Sequence, residues 1–380
     1  MLFALLVTKA TRAGAADAAD EPSEPAWRIT LGAELELVDV DGEGGFDNRD
    51  SSPIRPTTRA PYASLDRATL ELRAPYESWL RARVRFRADD DHGYVDRALL
   101  EAEPWKDRLR VEAGLDKPFF ESERRTETYS PIGAAFWHGR EYHLGVESRT
   151  PLGPIEVVVA GSAALQRPLG NTYPSEDEAL PQLGFDHAHI DESQPPELGA
   201  FVHVDGFGAR VGAFAEIGEL HDNADVLTLE RIFPGYALAG DPRSLHSHWY
   251  GVRGELDVFG FWLHVERLSA RQGLVRREGF ELAGSYTLPF EVGGRHMELE
   301  PIARWGELAI VNFPEAYLIP QSWDRTQLLG GLLFRPLRGL ELKFERIRHG
   351  ERTGASREGR RGVKNDETLV QLKVEVNHEL

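Results

Sequence analysis

The chain has 380 residues, no cysteine and a net charge of −18 from 62 acidic and 44 basic side chains. Without thiols there is no disulfide framework, thiolate metal site or cysteine nucleophile, and the acidic balance speaks against a general nucleic-acid binder. Mean hydropathy is −0.40. No run of about 18 apolar residues occurs, which excludes helical membrane spans and leaves a soluble fold or a transmembrane β-barrel.

In chain order, residues 1–15 read as the remnant of a secretory signal, with an apolar run from Leu2 to Val7 and the small-residue pattern Ala13-Gly14-Ala15. An acidic, proline-containing segment follows over 16–26. Residues 27–380 then alternate with period 2 almost throughout. Trp27, Ile29, Leu31, Ala33, Leu35 and Leu37 share one face, and Arg28, Thr30, Gly32, Glu34 and Glu36 the other. The run is longer than an average globular strand and suits a tilted bilayer crossing. The same alternation recurs over 80–88, 209–218, 250–258 and 370–376. Sixteen candidates begin near Trp27, Tyr62, Trp79, Val95, Leu109, Glu141, Ile155, Glu197, Ala209, His248, Phe261, Gly279, Met297, Leu328, Leu340 and Glu367.

Connection lengths carry a second signal. Asp41–Pro61, Phe119–Arg140, Gln166–Pro196, Glu219–Ser247, Gly306–Gln327 and Arg348–Asp366 are long, and the intervening ones are short, with modest loops at Asp89–Tyr94 and Leu268–Glu278. Long outer loops alternating with short periplasmic turns are the mark of outer-membrane barrels. The pattern predicts an all-β, transmembrane, antiparallel up-and-down β-barrel of about 16 strands. Trp79, Trp105, Phe207, Phe259, Phe261 and Phe290 fall beside short turns, where an aromatic girdle sits. A barrel of this size has a watery interior, and the polar faces are rich in Arg, Glu, Asp, Lys and Gly.

Function is expected on those inner faces. Arg81, Arg83, Arg85 and Arg87 occupy alternate positions of one strand and would climb the lumen at roughly 6–7 Å per step. Joined by Arg97, they read as an ion pathway that favours anions. Alternatively, Glu71 and Arg73 on the preceding strand and Arg97 and Glu101 on the following one would bind the row into a salt-bridge lattice. The loop inserted over 116–140 mixes charge and aromatics and suits a constriction folded into the lumen. Lys117, Glu121, Glu123, Arg124, Arg125 and Arg140 would line its narrowest part. The pairs His187/His189 and His246/His248 lack a defined third ligand, so neither metal nor cofactor is assigned. No Gly-X-Ser-X-Gly, Walker loop or His-Glu-X-X-His occurs, so no enzyme is expected.

The run Arg110-Val111-Glu112-Ala113-Gly114-Leu115-Asp116-Lys117-Pro118-Phe119-Phe120-Glu121 resembles the strand-to-loop segment of the phosphate-selective porin family (porins O and P). Arg140 to Glu147, an Arg followed by a Gly-Val strand, is similar to the family's next segment. Motif-level similarity covers about 40 residues. It implies a sixteen-stranded, trimeric outer-membrane channel with a lumenal arginine ladder, set in outer-membrane lipid and passing small anions, phosphate among them. Leu380 departs from the terminal aromatic usual in such barrels. The expected function is passive diffusion of small anionic solutes. The alternative is a structural or adhesive barrel whose outer loops bind a partner.

Overall fold

The computed structural model describes residues 27–45, 55–77, 79–88, 93–116, 125–136, 141–165, 168–172, 182–185, 195–220, 224–233, 236, 245–312, 324–352 and 362–379. The segments 1–15 and 16–26 lie outside them. In chain order the strands are β1 (Arg28–Gly45), β2 (Arg55–Glu77), β3 (Leu80–Ala88), β4 (Gly93–Trp105), β5 (Leu109–Asp116), β6 (Glu141–Leu152) and β7 (Ile155–Ala164). Next come β8 (Leu169–Thr172), β9 (Gln182–Phe185), β10 (Glu197–Gly206), β11 (Ala209–Glu219), β12 (His246–Val258), β13 (Phe261–Gln272) and β14 (Val275–Tyr286). The chain ends with β15 (Leu288–Val292), β16 (Arg295–Ile310), β17 (Asp324–Leu337), β18 (Leu340–Arg352) and β19 (Gly362–Glu379).

Every barrel pairing is antiparallel between neighbours, and β1 pairs with both β2 and β19, so the sheet closes on itself. Strands β14 and β15 pair in succession with β16 and form one interrupted stave. With β8 and β9 set apart as a separate hairpin, the barrel has sixteen staves. Closure is what lipid demands, since an open edge would leave N–H and C=O groups unpaired.

Apolar residues face outward and charged ones inward, the reverse of a soluble core. On β1, Leu31, Leu35 and Leu37 are exposed while Glu34 and Glu36 are buried. Val211 and Val374 are likewise exposed, as are Trp79, Trp105, Phe207, Phe259, Phe261 and Phe290 near the short turns. Two of those turns, Phe207–Gly208 and Phe259–Gly260, place both central residues at positive φ (55° and 78°; 52° and 79°), the mirror-image geometry that matches strand twist. Glycine is needed at the second position of the first turn, because a Cβ on Gly208 would lie 2.5 Å from the Asp257 carbonyl oxygen.

Strands run past their expected ends into the long connections, with β1 reaching Gly45 and β2 starting at Arg55 inside the expected loop Asp41–Pro61, and the structure departs from the sequence expectations in two further ways. The expected loop from Leu268 to Glu278 is strand on both sides of a two-residue turn at Gly273–Leu274, because β13 and β14 extend outward in unbroken register from Phe261↔Tyr286 to Gln272↔Val275. Within the long connections lie structured elements too short for periodicity to reveal: the β8–β9 hairpin, a helix at Pro131–Phe136 and another at Ala224–Ile232. The hairpin and the second helix fold together. Leu169, Leu183, Leu220, Leu229, Ile232, Phe233 and Tyr236 bury against Val275 and Ile310 at the barrel's loop end. Asp225 accepts a hydrogen bond from the Leu169 amide at 2.7 Å. This folded unit is termed the cap.

Candidate functional site

Strands β2 to β5 build one charged wall of the lumen. Leu80, Ala82, Val84 and Phe86 take the outer face of β3, which turns Arg81, Arg83, Arg85 and Arg87 inward. Antiparallel register then sets Glu71 opposite Arg85 and Glu101 opposite Arg81. Glu101, 2% exposed, lies 2.6 Å from Arg81, 3.3 Å from Arg83 and 3.3 Å from Arg110. Glu71 is shared in the same way by Arg73 at 2.6 Å, Arg97 at 3.5 Å and Arg85 at 3.7 Å. The register also sets Arg73 directly opposite Arg83, and Arg85 directly opposite Arg97. Such like-charge pairs oppose folding, and the shared carboxylates between them offset the repulsion.

Two further acids enter through β-bulges. Between Glu34↔Arg67 and Leu35↔Leu65 the extra residue on β2 is Asp66. Between Arg85↔Arg97 and Phe86↔Val95 the extra residue on β4 is Asp96. A bulge frees its extra residue from strict alternation and re-aims the side chain. Asp96 thereby reaches Arg85 at 3.0 Å, and Asp66 reaches Arg87 at 3.7 Å. Arg97 also contacts Asp116 at 2.9 Å. The arginine row and Arg97 are therefore brought together on one wall, and all five contact carboxylates.

Residues 125–136, between β5 and β6, cross to the opposite wall. Arg125 donates to Glu300 at 2.7 Å and Asp257 at 2.9 Å, with its guanidinium 4.7 Å above the Trp262 ring. The amides of Glu127 and Thr128 donate to the two carboxylate oxygens of Glu345, at 2.6 and 3.1 Å. Arg304 donates to Thr126 Oγ1 and to the Thr128 carbonyl, and Gln327 to the Tyr129 carbonyl. The Glu127 carboxylate lies 2.6 Å from Arg67 on β2 and 3.3 Å from Lys343 on β18, which ties the segment to the charged wall as well. Arg67 stands among three converging carboxylates, Glu34, Asp66 and Glu127, within 2.7 Å of each.

The helix that follows seats on apolar surface. Ile132, Ala135 and Phe136 pack with Ala160, Phe201, Phe214, Trp249, Leu268, Ala270 and Leu308 on the inner faces of β7, β10–β13 and β16. Glycines make room for it. A Cβ on Gly279 would sit 2.0 Å from Ile132 Cγ2, and one on Gly306 would sit 2.9 Å from Pro131 Cδ. Of the constriction residues expected from sequence, Arg125 is placed in the lumen by these contacts. Lys117, Glu121, Glu123, Arg124 and Arg140 lie outside the described residues, as do His187 and His189. Sequence reasoning missed Arg67, Arg304, Lys343, Glu127 and Glu345, which anchor the segment. Each stands at an inward position of its strand or within the inserted loop, but nothing in the local pattern tells an anchor from an ordinary lumenal charge.

No family model and no curated protein matches the chain. Among solved structures it is similar to the outer membrane channel DcaP of Acinetobacter baumannii, at 12% identity and a TM-score of 0.58 over 94% of this chain and all of that one. It is similar also to the anion-selective porin from Comamonas acidovorans, at 11% identity and TM-score 0.54, over 92% of this chain and 100% of that one. OprB of Pseudomonas putida matches at 9% identity and TM-score 0.56, over 92% and 94% of the two chains. The fold is that of the outer-membrane porins.

Proposed function

We propose that this chain is a passive diffusion channel of the bacterial outer membrane that admits small solutes and prefers anions, phosphate among them. The observation that carries the proposal is the wall of Arg73, Arg81, Arg83, Arg85, Arg87, Arg97 and Arg110, facing a segment anchored across the lumen. Sharing of carboxylates leaves two arginines of this wall thinly paired, and one is Arg87, with a single described contact at 3.7 Å to an Asp66 that Arg67 also uses. Arg83 has a single described carboxylate contact, at 3.3 Å, to a Glu101 that Arg81 and Arg110 also use. An anion passing there would meet a guanidinium with spare hydrogen-bonding capacity, and the mechanism is electrostatic with no covalent step. Because most of the row is lattice-paired, the preference is modest and falls with salt over a screening length of about 8 Å. A homotrimer is part of the proposal. Support comes from the fold likeness to an outer membrane protein of Vibrio cholerae described in a trimer form, at 11% identity and TM-score 0.54, over 93% of this chain and 100% of that one.

The test is the reversal potential of single channels in a salt gradient, for the native chain and for Arg83→Gln with Arg85→Gln. A native anion preference that weakens in the double variant supports the proposal. A cation preference or no preference in the native channel sinks the anion reading. The alternative, a structural or adhesive barrel, draws on one observation, the cap folded at the loop end. A barrel that reconstitutes but never conducts would favour it.

A further inference from the structure

Arg277 differs from the arginines of the charged wall. It is 1% exposed on the inner face of β14. Its guanidinium donates to the Leu183 carbonyl at 2.6 Å and to Gln272 Oε1, and it lies 4.3 Å from the centre of the Phe136 ring. None of these partners is a carboxylate, and Nε has no hydrogen-bond acceptor. An arginine cannot shed its proton to escape burial. With no carboxylate among those partners, its charge depends on the neutral acceptors and the aromatic face together.

Those partners belong to three separate parts of the molecule. Leu183 is in the β8–β9 hairpin of the cap, Phe136 ends the lumenal helix, and Gln272 closes β13. The neighbouring inward positions of β14 extend the same division. Val275 is buried in the cap core, and Gly279 provides the seat of Ile132. Three successive inward residues of one strand thus contact the cap, the junction and the lumenal segment in turn.

We propose that Arg277 is a latch, a positioning residue that makes the cap and segment 125–136 open and close as one unit. Lifting the hairpin removes the Leu183 carbonyl and leaves a buried cation short of an acceptor. The environment that Phe136 completes is then no longer adequate, and the C-terminal end of the helix is held less firmly in its apolar seat. The converse holds when the helix leaves. The lumenal helix also lies directly beside β9 of the hairpin, and Arg277 adds to that contact a tie that carries a charge. The inference rests on the channel reading for its consequence, which is that the constriction widens when the cap loosens.

The experiment uses hydrogen exchange on the full chain in a lipid nanodisc, with peptides covering 125–136, 224–233 and the wall strands β3 and β4. Leu229→Ala opens space in the cap core and loosens the cap. In the native background exchange should rise in the cap and, by at least about fivefold, in segment 125–136, with β3 and β4 unchanged. In an Arg277→Met background the same change should raise exchange in the cap as before and in the segment by clearly less. Equal response of the segment in both backgrounds, or none in either, overturns the latch. Should Arg277→Met fail to fold, Arg277→Lys keeps the charge but cannot span both acceptors, and a partial loss of coupling is then expected. Coupled exchange in a barrel that passes no current would uphold the latch and refute the channel.

Discussion

The two sides of this lumen are lined by different physics. On β2 to β5, guanidiniums and carboxylates interleave until Glu101 and Glu71 each serve three arginines. Across β10 to β16, aromatic and aliphatic side chains form a dry seat for Ile132 and Phe136. The first wall keeps its charges by sharing counterions and remains wettable. The second gives up wettability for a fixed, space-filling insert. A barrel of sixteen strands is too wide to be filled by its own inward side chains, and the contrast shows how such a barrel is narrowed on one side while the other stays charged.

Removing the most heavily shared counterion should break the contrast most severely. Glu101→Gln leaves Arg81, Arg83 and Arg110 with one carboxylate fewer. Stripping the partner from a fully buried pair costs about 3–5 kcal/mol. Arg81 and Arg110 reach water, so about 2–3 kcal/mol is expected, read as lowered heat resistance, together with a reversal potential displaced toward anions. Unchanged stability would mean that the wall does not need its acids.

Next is the dry side. Gly279→Val drives a side chain into Ile132 and should unseat the helix, at about 1–3 kcal/mol for overpacking. Single-channel conductance should then change while β3 and β4 keep their slow exchange. A native conductance in this variant would show that the insert does not define the narrow point.

A smaller effect is expected when two charges leave the wet wall. Arg83→Gln with Arg85→Gln should shift anion-to-cation permeability by about tenfold, equivalent to roughly 1.4 kcal/mol, with the barrel still folded. No shift, with reduced heat resistance instead, would make these arginines wall struts held by Glu71 and Glu101, and the lattice would be their whole role.

The smallest effect tests a region outside both walls. Phe207→Asn places a residue that tolerates positive φ at the first position of a mirror-image turn, where a bulky side chain is unfavourable. Heat resistance in detergent should rise slightly, by under about 1 kcal/mol, because the left-handed conformation is less costly for Asn. In a bilayer the loss of an exposed aromatic at the interface should cancel the gain. Equal gains in both media would show that Phe207 has no anchoring value.

The barrel itself was legible because lipid imposes a simple rule. Outward residues must be apolar at every second position, and that rule wrote Leu31, Leu35, Val211 and Val374 onto one face. Inward orientation of Arg81, Arg83, Arg85 and Arg87 followed by exclusion. Asp66 and Asp96 were not legible as lumenal acids, because a bulge adds one residue and cancels the parity from which a face is read. The seat of the lumenal helix was hidden for another reason. Gly279 and Gly306 are defined by what fills the space beside them, and that partner is more than 140 residues away in sequence. Periodicity reports only on the local chain.

The pairing of Arg28 with Glu379 joins the first and last described strands. Every other barrel pairing joins strands that follow one another along the chain, apart from small insertions, and each can form as soon as its hairpin exists. This last seam cannot. Closing a flexible loop of about 350 residues would cost on the order of 5 kcal/mol in chain entropy by the logarithmic law. The cost falls as the intervening strands assemble, because a sheet that is already curved carries its two edges toward each other. Assembly is thus a race in which two unsatisfied edges must stay apart from other chains until the final strand arrives. Closure is the step that depends on all the others, and a mutation that flattens the sheet should slow maturation more than it weakens the finished barrel.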